Sequence, residues 1–412
     1  MKFWVSSLVE KPQIYVASKE EIKKGLTADV YFKRTVDVLE KMGLCDVWVR
    51  AELHSYSFPK GYQWAVFAGL EEALWLLEGY EVNVYSLPEG TIFYPKEPVM
   101  VIEGPYCVFA MLETALLGIL RHATSIATKA ARIKLAAGDK KVYFFGLRAL
   151  HPAIAPMADR AAYIGGVDGV AGLAAEKYLG VKPVGTMPHA FIIVVGDPVK
   201  AWKAFDKYLD ESIPRIALVD TFYDERYESV LAFRALGEKL YGVRLDTPKS
   251  RRGDMRSLVE EVRWALDLEG GKHVKIFVSG GLDEEEICRL RDIVDGFGVG
   301  SSIAFPPSID ISMDIVEVKR GEKWEKIAKR GKLPGAKTVY ACNNIVNHVV
   351  VLWGSKPPTT CRNPRQMLVE YIREGKLVRR LPSLDEIRKY VFEQLEQLDP
   401  SLKSVCSAES KH

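Results

Sequence analysis

The alternation of strand-like and helix-like segments between residues 140 and 305 constrains the fold of this chain most strongly. Short apolar runs are each followed by a longer segment with helical spacing of its apolar residues. Because parallel strands need a long crossover connection, usually a helix, this alternation predicts a parallel β-sheet. The predicted strands are residues 142–145, 183–185, 216–219, 242–245, 274–278 and 296–299.

Six such steps suit either a barrel or an open, doubly wound sheet. No Gly-x-Gly-x-x-Gly motif follows the first strand, which argues against the dinucleotide-binding form of the open sheet. We therefore predict an α/β fold built on a distorted or incomplete (β/α) barrel.

Two further regions flank the predicted barrel. Residues 1–115 mix short strands and helices separated by Pro and Gly, which is typical of an α+β domain. We assign 116–312 to the barrel and 313–412 to a small C-terminal extension. Part of that extension is expected to return to the N-terminal domain, and the tail from Ser401 to His412 is expected to be disordered.

The composition is that of a soluble globular protein, with 412 residues, 48% apolar and 27% charged. A net charge of +3 with mixed signs argues against nucleic-acid binding. Apolar runs are too short for a membrane span, and the N-terminus lacks the apolar region of a signal peptide. Six scattered cysteines predict no disulfide framework, hence a reduced, cytoplasmic protein.

Polar clusters follow each of the six predicted strands. A glycine after a strand is usually only a turn, and an acidic residue there is as often a helix N-cap. The recurrence at six successive strand ends predicts a ligand site, because both candidate folds bind ligands at that edge. The clusters are residues 145–148, 185–189, 219–221, 244–247, 279–283 and 298–302.

The late clusters suit a phosphorylated sugar. Gly280 and Gly281, like residues 298–301, can present successive backbone N–H groups to a phosphate. Arg244 suits phosphate oxygens, and Asp246 suits ribose hydroxyls or, through water, Mg²⁺. The basic loop 249–254 adds positive charge nearby, although it is equally well interpreted as a solvated surface loop.

Taken in order, these residues resemble the nicotinate phosphoribosyltransferases, which are type II phosphoribosyltransferases, and most closely the archaeal members. The resemblance spans roughly residues 20 to 340. Besides the barrel clusters it rests on residues 27–32, 122–129 and 334–337, whose sequences are TADVYF, HATSIATK and PGAK.

The resemblance implies a reaction in NAD biosynthesis and salvage. The ring nitrogen of nicotinate attacks C1 of phosphoribosyl pyrophosphate, giving nicotinate mononucleotide and pyrophosphate. Mg²⁺ is the implied cofactor and ATP the implied co-substrate, which corresponds to a ligase-type classification. A pyridine nitrogen is already nucleophilic at neutral pH, so catalysis needs positioning and charge stabilisation rather than a general base.

Residue roles around the base also follow from the resemblance. Phe145 would stack on the pyridine ring, and Tyr31 would cover its other face from a second subunit. That arrangement implies at least a homodimer with shared active sites. Arg148 would bind the carboxylate of the base or a nearby phosphate, and Asp168 and Thr186 complete the expected substrate-binding set.

The remaining roles concern phosphoribosyl pyrophosphate and ATP. His189 matches a histidine that relatives phosphorylate from ATP, and its alternative is a core histidine at a strand end. Three residues are expected to hold ribose and pyrophosphate: Asp220, Arg244 and Asp246. Four are expected to hold the 5′-phosphate: Gly280, Gly281, Gly300 and Ser301.

Three features depart from the family pattern or leave it open. Relatives that use nicotinamide carry an aspartate where Asp168 stands, so the amide remains a possible base. The usual Arg-Leu-Asp-Ser-Gly-Asp is interrupted by residues 248–253, so Asp254 receives no role. Some archaeal members end in a zinc knuckle, but Cys342, His348 and Cys361 are a poor tetrahedral set, and we predict no zinc.

Two other functions stay open. One is a sister transferase that uses nicotinamide or quinolinate; quinolinate needs extra cations for its second carboxylate, which the barrel motifs supply only modestly. The other is a non-catalytic nucleotide-binding sensor on the same fold. A sensor would be expected to lose Arg244 or Asp246, and both are present.

Overall fold

The computed structural model describes residues 13–406, so predictions for residues 1–12 and 407–412 lie outside it. Four short 3-10 turns accompany the regular elements. The strands are β1 Trp48–His54, β2 Ala65–Val66, β3 Asn83–Ser86, β4 Ile92–Phe93, β5 Pro98–Pro105, β6 Lys141–Phe144, β7 Gly169–Val170, β8 Ile216–Leu218, β9 Gly242–Leu245, β10 Lys275–Ser279, β11 Gly296–Val299, β12 Ser312–Arg320, β13 Lys323–Lys326, β14 Lys337–Ala341, β15 His348–Leu352, β16 Arg365–Gln366, β17 Val369–Arg373 and β18 Lys376–Leu377. The helices are α1 Lys19–Lys23, α2 Val30–Lys41, α3 Leu70–Leu77, α4 Tyr106–Phe109, α5 Glu113–Ala137, α6 Ala155–Ile164, α7 Ala175–Leu179, α8 His189–Val195, α9 Pro198–Tyr208, α10 Glu225–Leu236, α11 Met255–Leu268, α12 Glu284–Leu290, α13 Ser301–Ala304, α14 Leu384–Gln397 and α15 Pro400–Lys403.

Six parallel strands form an incomplete barrel, in the order β7-β6-β11-β10-β9-β8. The sheet is open between β7 and β8, where residues 183–185 run past as irregular chain. That segment makes one backbone hydrogen bond to β7, from Val184 N–H to the Val170 carbonyl at 2.8 Å. The predicted strand at 183–185 is wrong, partly because Pro183 lacks a backbone donor, but the prediction of an incomplete barrel is confirmed.

Helix α5 is the principal core helix of the barrel region. Within the described residues, the stretch Tyr106–Ala137 is long and apolar enough to span a membrane. Most side chains from Ala123 to Ala137 are buried in the apolar core that the barrel strands share. This burial is what a globular protein requires of such a helix.

The second sheet combines strands from both sides of the barrel in sequence. Its order is β13-β12-β1-β5-β3-β17-β18, and its paired neighbours are antiparallel. Strands β1, β3 and β5 precede the barrel, whereas the other four follow it. A second apolar core lies on this sheet, around Leu53, Val84 and Met100. The division at residues 115 and 312 stays a prediction.

Three disulfides contradict the prediction of a reduced protein without a disulfide framework. They join Cys45 to Cys107, Cys288 to Cys406 and Cys342 to Cys361, with Cα separations of 5.0, 6.1 and 4.9 Å. Sequence spacing hides these contacts, because the partners are brought together only by the tertiary fold. Disulfides remain compatible with an intracellular protein from a hyperthermophile, where they are common.

The C-terminal segment is ordered as far as it is described. Residues Pro400–Lys403 form α15, and Trp64 Nε1 donates a hydrogen bond to the Leu402 carbonyl at 2.9 Å. The Cys288–Cys406 disulfide ties the same segment to α12. The expectation of disorder is therefore wrong for residues 401–406, and its remainder falls on residues outside the description.

Candidate active site at the carboxyl edge of the barrel

A cleft of about 900 Å³ lies at the carboxyl ends of β6, β9, β10 and β11. Its walls come from five loops that follow barrel strands, together with the segment that fills the open side. Nine of the predicted site residues line it: Phe145, Arg148, Thr186, Arg244, Asp246, Gly280, Gly281, Gly300 and Ser301.

Phe145 provides a flat apolar wall of the cleft. It directly follows β6, and its backbone N–H donates to the Val299 carbonyl at 2.8 Å, which fixes it beside β11. Its ring lies against Gly298, where a Cβ would come within 2.6 Å of a ring carbon. Glycine at 298 is therefore required for the ring to occupy this position.

Arg244 places a cation beside that wall. Its guanidinium carbon lies 5.8 Å from the centroid of the Phe145 ring. One terminal nitrogen donates to Thr186 Oγ1 at 2.6 Å, and the other to Asp246 Oδ2 at 3.2 Å. Its Nε is buried without a hydrogen-bond partner among the described residues. Arg244 lines the cleft, so its guanidinium is suited to an anionic ligand group.

The glycine loop after β10 forms the floor near Asp246. Gly280 and Gly281 have φ of +91° and +69°, a conformation that favours glycine and lets successive N–H groups face one side. A Cβ at Gly280 would lie 3.1 Å from the Asp246 carbonyl oxygen. Ser279 donates to Asp246 Oδ1 at 2.5 Å and fixes the carboxylate. The sequence pattern located Ser279 without revealing this role.

His189 and Asp220 form a pair next to the cleft. His189 Nε2 lies 2.9 Å from Asp220 Oδ1, and Thr247 Oγ1 lies 3.2 Å from Asp220 Oδ2. Thr247 also bonds to Glu225, a residue that sequence reasoning missed because it reads as part of a solvated helix end. Burial raises the pKa of Asp220, and the neighbouring imidazole partly opposes that rise. The side chain of His189 is partly exposed, and its contact with Asp220 holds the ring in one orientation.

Asp168 does not belong to this cleft, which corrects the prediction that it binds substrate. It precedes β7 and lies at the amino edge of the sheet, where the Val142 N–H donates to it at 2.9 Å. Lys134 and Lys141 pair with it at 2.8 and 3.2 Å. Residues before a parallel strand lie at the edge opposite the ligand site.

Tyr31 lines a separate cavity of about 710 Å³ between α2, α5 and residues 304–308. Its side chain is 56% exposed, and the chain does not bring it to Phe145. Burial, and next the charge of Asp314, raises the pKa of Glu113 in this cavity to about 7. Asp254, which received no role, caps α11 and pairs with Arg289 at 2.7 Å.

Comparison with family models defines the class of protein first. Residues 29–124 and 126–314 match the N-terminal and C-terminal domains of quinolinate phosphoribosyl transferase. Residues 337–409 match the nicotinate phosphoribosyltransferase C-terminal domain. Fold and cleft together are thus those of a pyridine phosphoribosyltransferase.

Individual relatives narrow the class. A nicotinate phosphoribosyltransferase of Mycobacterium tuberculosis is 30% identical over 336 residues, covering 78% of this chain and 70% of that protein. The Bacillus subtilis nicotinate phosphoribosyltransferase is 30% identical over 371 residues, covering 79% and 74%. This chain belongs to the nicotinate phosphoribosyltransferase family, as the sequence resemblance predicted.

Two solved structures share this fold. A nicotinate-nucleotide pyrophosphorylase from Pyrococcus furiosus is 52% identical, with a TM-score of 0.91 over 94% of this chain and 100% of that chain. Human nicotinic acid phosphoribosyltransferase, at 23% identity, shares the fold with a TM-score of 0.74 over 92% and 95% of the two chains.

Proposed function

We propose that this enzyme joins nicotinate to phosphoribosyl pyrophosphate, forming nicotinate mononucleotide and pyrophosphate in NAD biosynthesis and salvage. The observation that carries the proposal is the pairing of a flat apolar wall, Phe145, with the Arg244 guanidinium beside it. Nicotinate is a flat ring with one carboxylate, so its ring matches Phe145 and its carboxylate matches the guanidinium. In this proposal Arg244 binds the carboxylate of the base, in place of the pyrophosphate contact that the resemblance implied.

The chain's own residues account for the chemistry of transfer. The ring nitrogen of nicotinate forms a bond to C1 of the ribose while the bond from C1 to pyrophosphate breaks. Positive charge that develops at the ribose favours nearby carboxylates, of which Asp246 is held by Ser279 and Arg244. The nitrogen lone pair is free at neutral pH, so these residues act by orientation and charge rather than by removing a proton.

Mg²⁺ is the cofactor we expect, bound with the diphosphate of the substrate. Such a cation needs only one or two protein carboxylates, since phosphate oxygens and water complete its octahedral shell. Asp246 lines the cleft and Asp220 lies close enough to influence it electrostatically. The two residues fit that role, and the bound cation would neutralise charge on the departing pyrophosphate.

ATP is the co-substrate we expect, and His189 the group it phosphorylates. The supporting geometry is the contact between Nε2 and Asp220, which orients the imidazole and leaves Nδ1 as the other ring nitrogen. His189 is 37% exposed at the side chain, so a nucleotide can reach it. This exposure argues against the alternative, in which His189 is a buried core histidine.

We also propose that the active unit is a cytoplasmic homodimer or larger oligomer with shared sites. Phe145 offers one face to a ring, and Tyr31 lies exposed in a separate cavity of the same chain. A second subunit could bring its own Tyr31 to the cleft. Neither nucleic acid nor a membrane is an expected partner.

Quinolinate is the second candidate base. Two matched family models carry the quinolinate transferase name, and exposed Arg148 at the cleft offers a second cation. Nicotinamide loses its supporting residue, because Asp168 lies at the opposite edge. A non-catalytic sensor is disfavoured because Arg244 and Asp246 both face the cleft.

An assay with radiolabelled base and phosphoribosyl pyrophosphate tests the proposal, with nicotinate, nicotinamide and quinolinate in parallel. We expect mononucleotide from nicotinate, without release of carbon dioxide. Product from quinolinate alone, accompanied by carbon dioxide, would support the second candidate instead. Product from nicotinamide alone, or from no base, would contradict the proposed function.

A further inference from the structure

The loop that interrupts the family motif, residues 248–253, is anchored beneath the glycine loop rather than free in solvent. Arg252 is only 3% exposed at its side chain. One of its terminal nitrogens donates to the Thr247 carbonyl at 2.8 Å and to the Gly280 carbonyl at 3.3 Å. A single guanidinium thus joins the loop after β9 to the loop after β10.

Three glutamates begin helix α12, separated by two residues from the glycine loop: Glu284, Glu285 and Glu286. A row of carboxylates beside the expected phosphate position would repel a phosphate. Two of the three are neutralised by cations. Glu284 is buried and pairs with Lys129 and, at 3.1 Å, with Arg132.

Glu286 is neutralised by the loop that interrupts the motif. Lys249 Nζ lies 3.5 Å from one of its oxygens, and Arg252 lies 3.6 Å from the other. The Lys249 side chain is 56% exposed, so it can leave this partner at low cost. Its Cε lies 3.9 Å from the point where a Cβ on Gly281 would stand. The ammonium group is therefore within side-chain reach of any phosphate on the glycine loop.

We propose that residues 248–253 form a phosphate clamp in which Lys249 binds the 5′-phosphate of phosphoribosyl pyrophosphate and Arg252 is a positioning residue. Glu286 holds Lys249 beside the glycine loop until the substrate arrives. The phosphate then replaces the carboxylate as partner of the ammonium group. This inference rests on the proposed function, because it takes the sugar phosphate to be the ligand of the glycine loop.

Calorimetric titration of the full-length protein with ribose 5-phosphate, and separately with inorganic pyrophosphate, tests the clamp without needing turnover. Lys249→Gln should weaken ribose 5-phosphate binding about tenfold, the scale of one charge-assisted contact. Pyrophosphate binding should stay unchanged. Equal ribose 5-phosphate affinity in variant and wild type, or an equal loss for pyrophosphate, would overturn the proposal.

Lys275→Gln is the matched control. Lys275 is at the amino end of β10, where it pairs with Asp295 at 3.0 Å. It removes the same charge from the opposite edge of the barrel and should leave both affinities unchanged. A tenfold loss in this variant too would show that net charge, not the clamp, governs binding, and would refute the assignment of Lys249.

Arg252→Lys tests the positioning role. A lysine keeps the charge, but its single nitrogen cannot contact both carbonyls and Glu286 as the two terminal nitrogens of the arginine do. We expect a higher KM for phosphoribosyl pyrophosphate with little change in the KM for nicotinate. Equal rises in both would indicate general loss of structure and contradict the specific role. If the wild-type protein binds ribose 5-phosphate but makes no mononucleotide, the proposed function is refuted. The clamp is then still tested by comparing ribose 5-phosphate binding of the Lys249→Gln variant with that of wild type.

Discussion

Asp159→Asn should make the stability of this protein less sensitive to pH, because Asp159 is a buried carboxyl without adequate partners. It lies on α6 with 1% exposure, and neither oxygen has a hydrogen-bond partner of good geometry among the described residues. Burial raises the pKa of Asp159 from 3.8 to about 7, and the backbone N–H of Gly172 only partly opposes this.

The magnitude follows from linkage between proton binding and folding. Between pH 3.8 and about 7 the folded chain keeps the proton that the unfolded chain has lost. Stability therefore falls as pH rises through this window, and the loss is complete above the folded-state pKa. A rise of this size corresponds to at most about 4 kcal/mol. Asparagine cannot ionise, so it removes this dependence.

Urea unfolding of wild type and Asp159→Asn at about pH 4.5, near the lower end of this window, and at about pH 8, above it, measures the effect. We expect the variant to gain about 2–4 kcal/mol relative to wild type between the two conditions. Asp139→Asn is the control, because Asp139 is exposed in the turn after α5. An identical stability difference at both pH values would refute the reasoning, whatever its sign.

Four further perturbations follow from the site and the disulfides. Phe145→Ala should raise the KM for nicotinate by the equivalent of about 1 kcal/mol or more; an unchanged KM would place another ring against the base. Gly298→Ala should displace the Phe145 ring, since the new Cβ would lie 2.6 Å from it, and should raise the KM for nicotinate while phosphoribosyl pyrophosphate binds as before. His189→Ala should abolish stimulation by ATP and keep part of the basal synthesis; persistent stimulation would remove the phosphohistidine role. Cys288→Ser opens a cross-link between positions 118 residues apart and should lower the free energy of unfolding by about 3 kcal/mol or more, as measured in urea; no change in that free energy under oxidising conditions would argue against the disulfide.

Much of the barrel could be predicted because its signals are local. Five of the six predicted strands overlap β6 and β8–β11, and each is bounded by its own turn residues. Since strands of a parallel sheet share one carboxyl edge, the order of polar clusters was enough to bring Phe145, Arg244 and Gly280 together. Periodicity and chain direction suffice for such a site.

Asp168 shows where local signals stop. Strand β7 has only two residues, Gly169 and Val170, too few for any periodic pattern, so the edge of the sheet that Asp168 occupies was hidden. Residues 183–185 have the apolar character of a strand but make only one ladder bond, from Val184. A register or edge assignment depends on neighbours in space, which the sequence of one segment does not specify.

The disulfides and the second sheet could not be predicted from the sequence for another reason. Cys288 and Cys406 are far apart in sequence, and strands β3 and β17 are separated by the whole barrel. Such pairings depend on how two large regions pack. Arg252 is similar: its charge suggested a solvated loop, whereas its guanidinium is buried between two carbonyls.

The seven-stranded sheet has a consequence for how the chain is made. Strand β1 leaves the ribosome long before its partner β12, and β3 waits still longer for β17. During that interval an unpaired strand edge with apolar side chains is exposed, while the intervening barrel residues can already begin to collapse. We therefore expect the nascent protein to stay prone to aggregation until the last hundred or so residues have left the ribosome, even when the barrel has already folded.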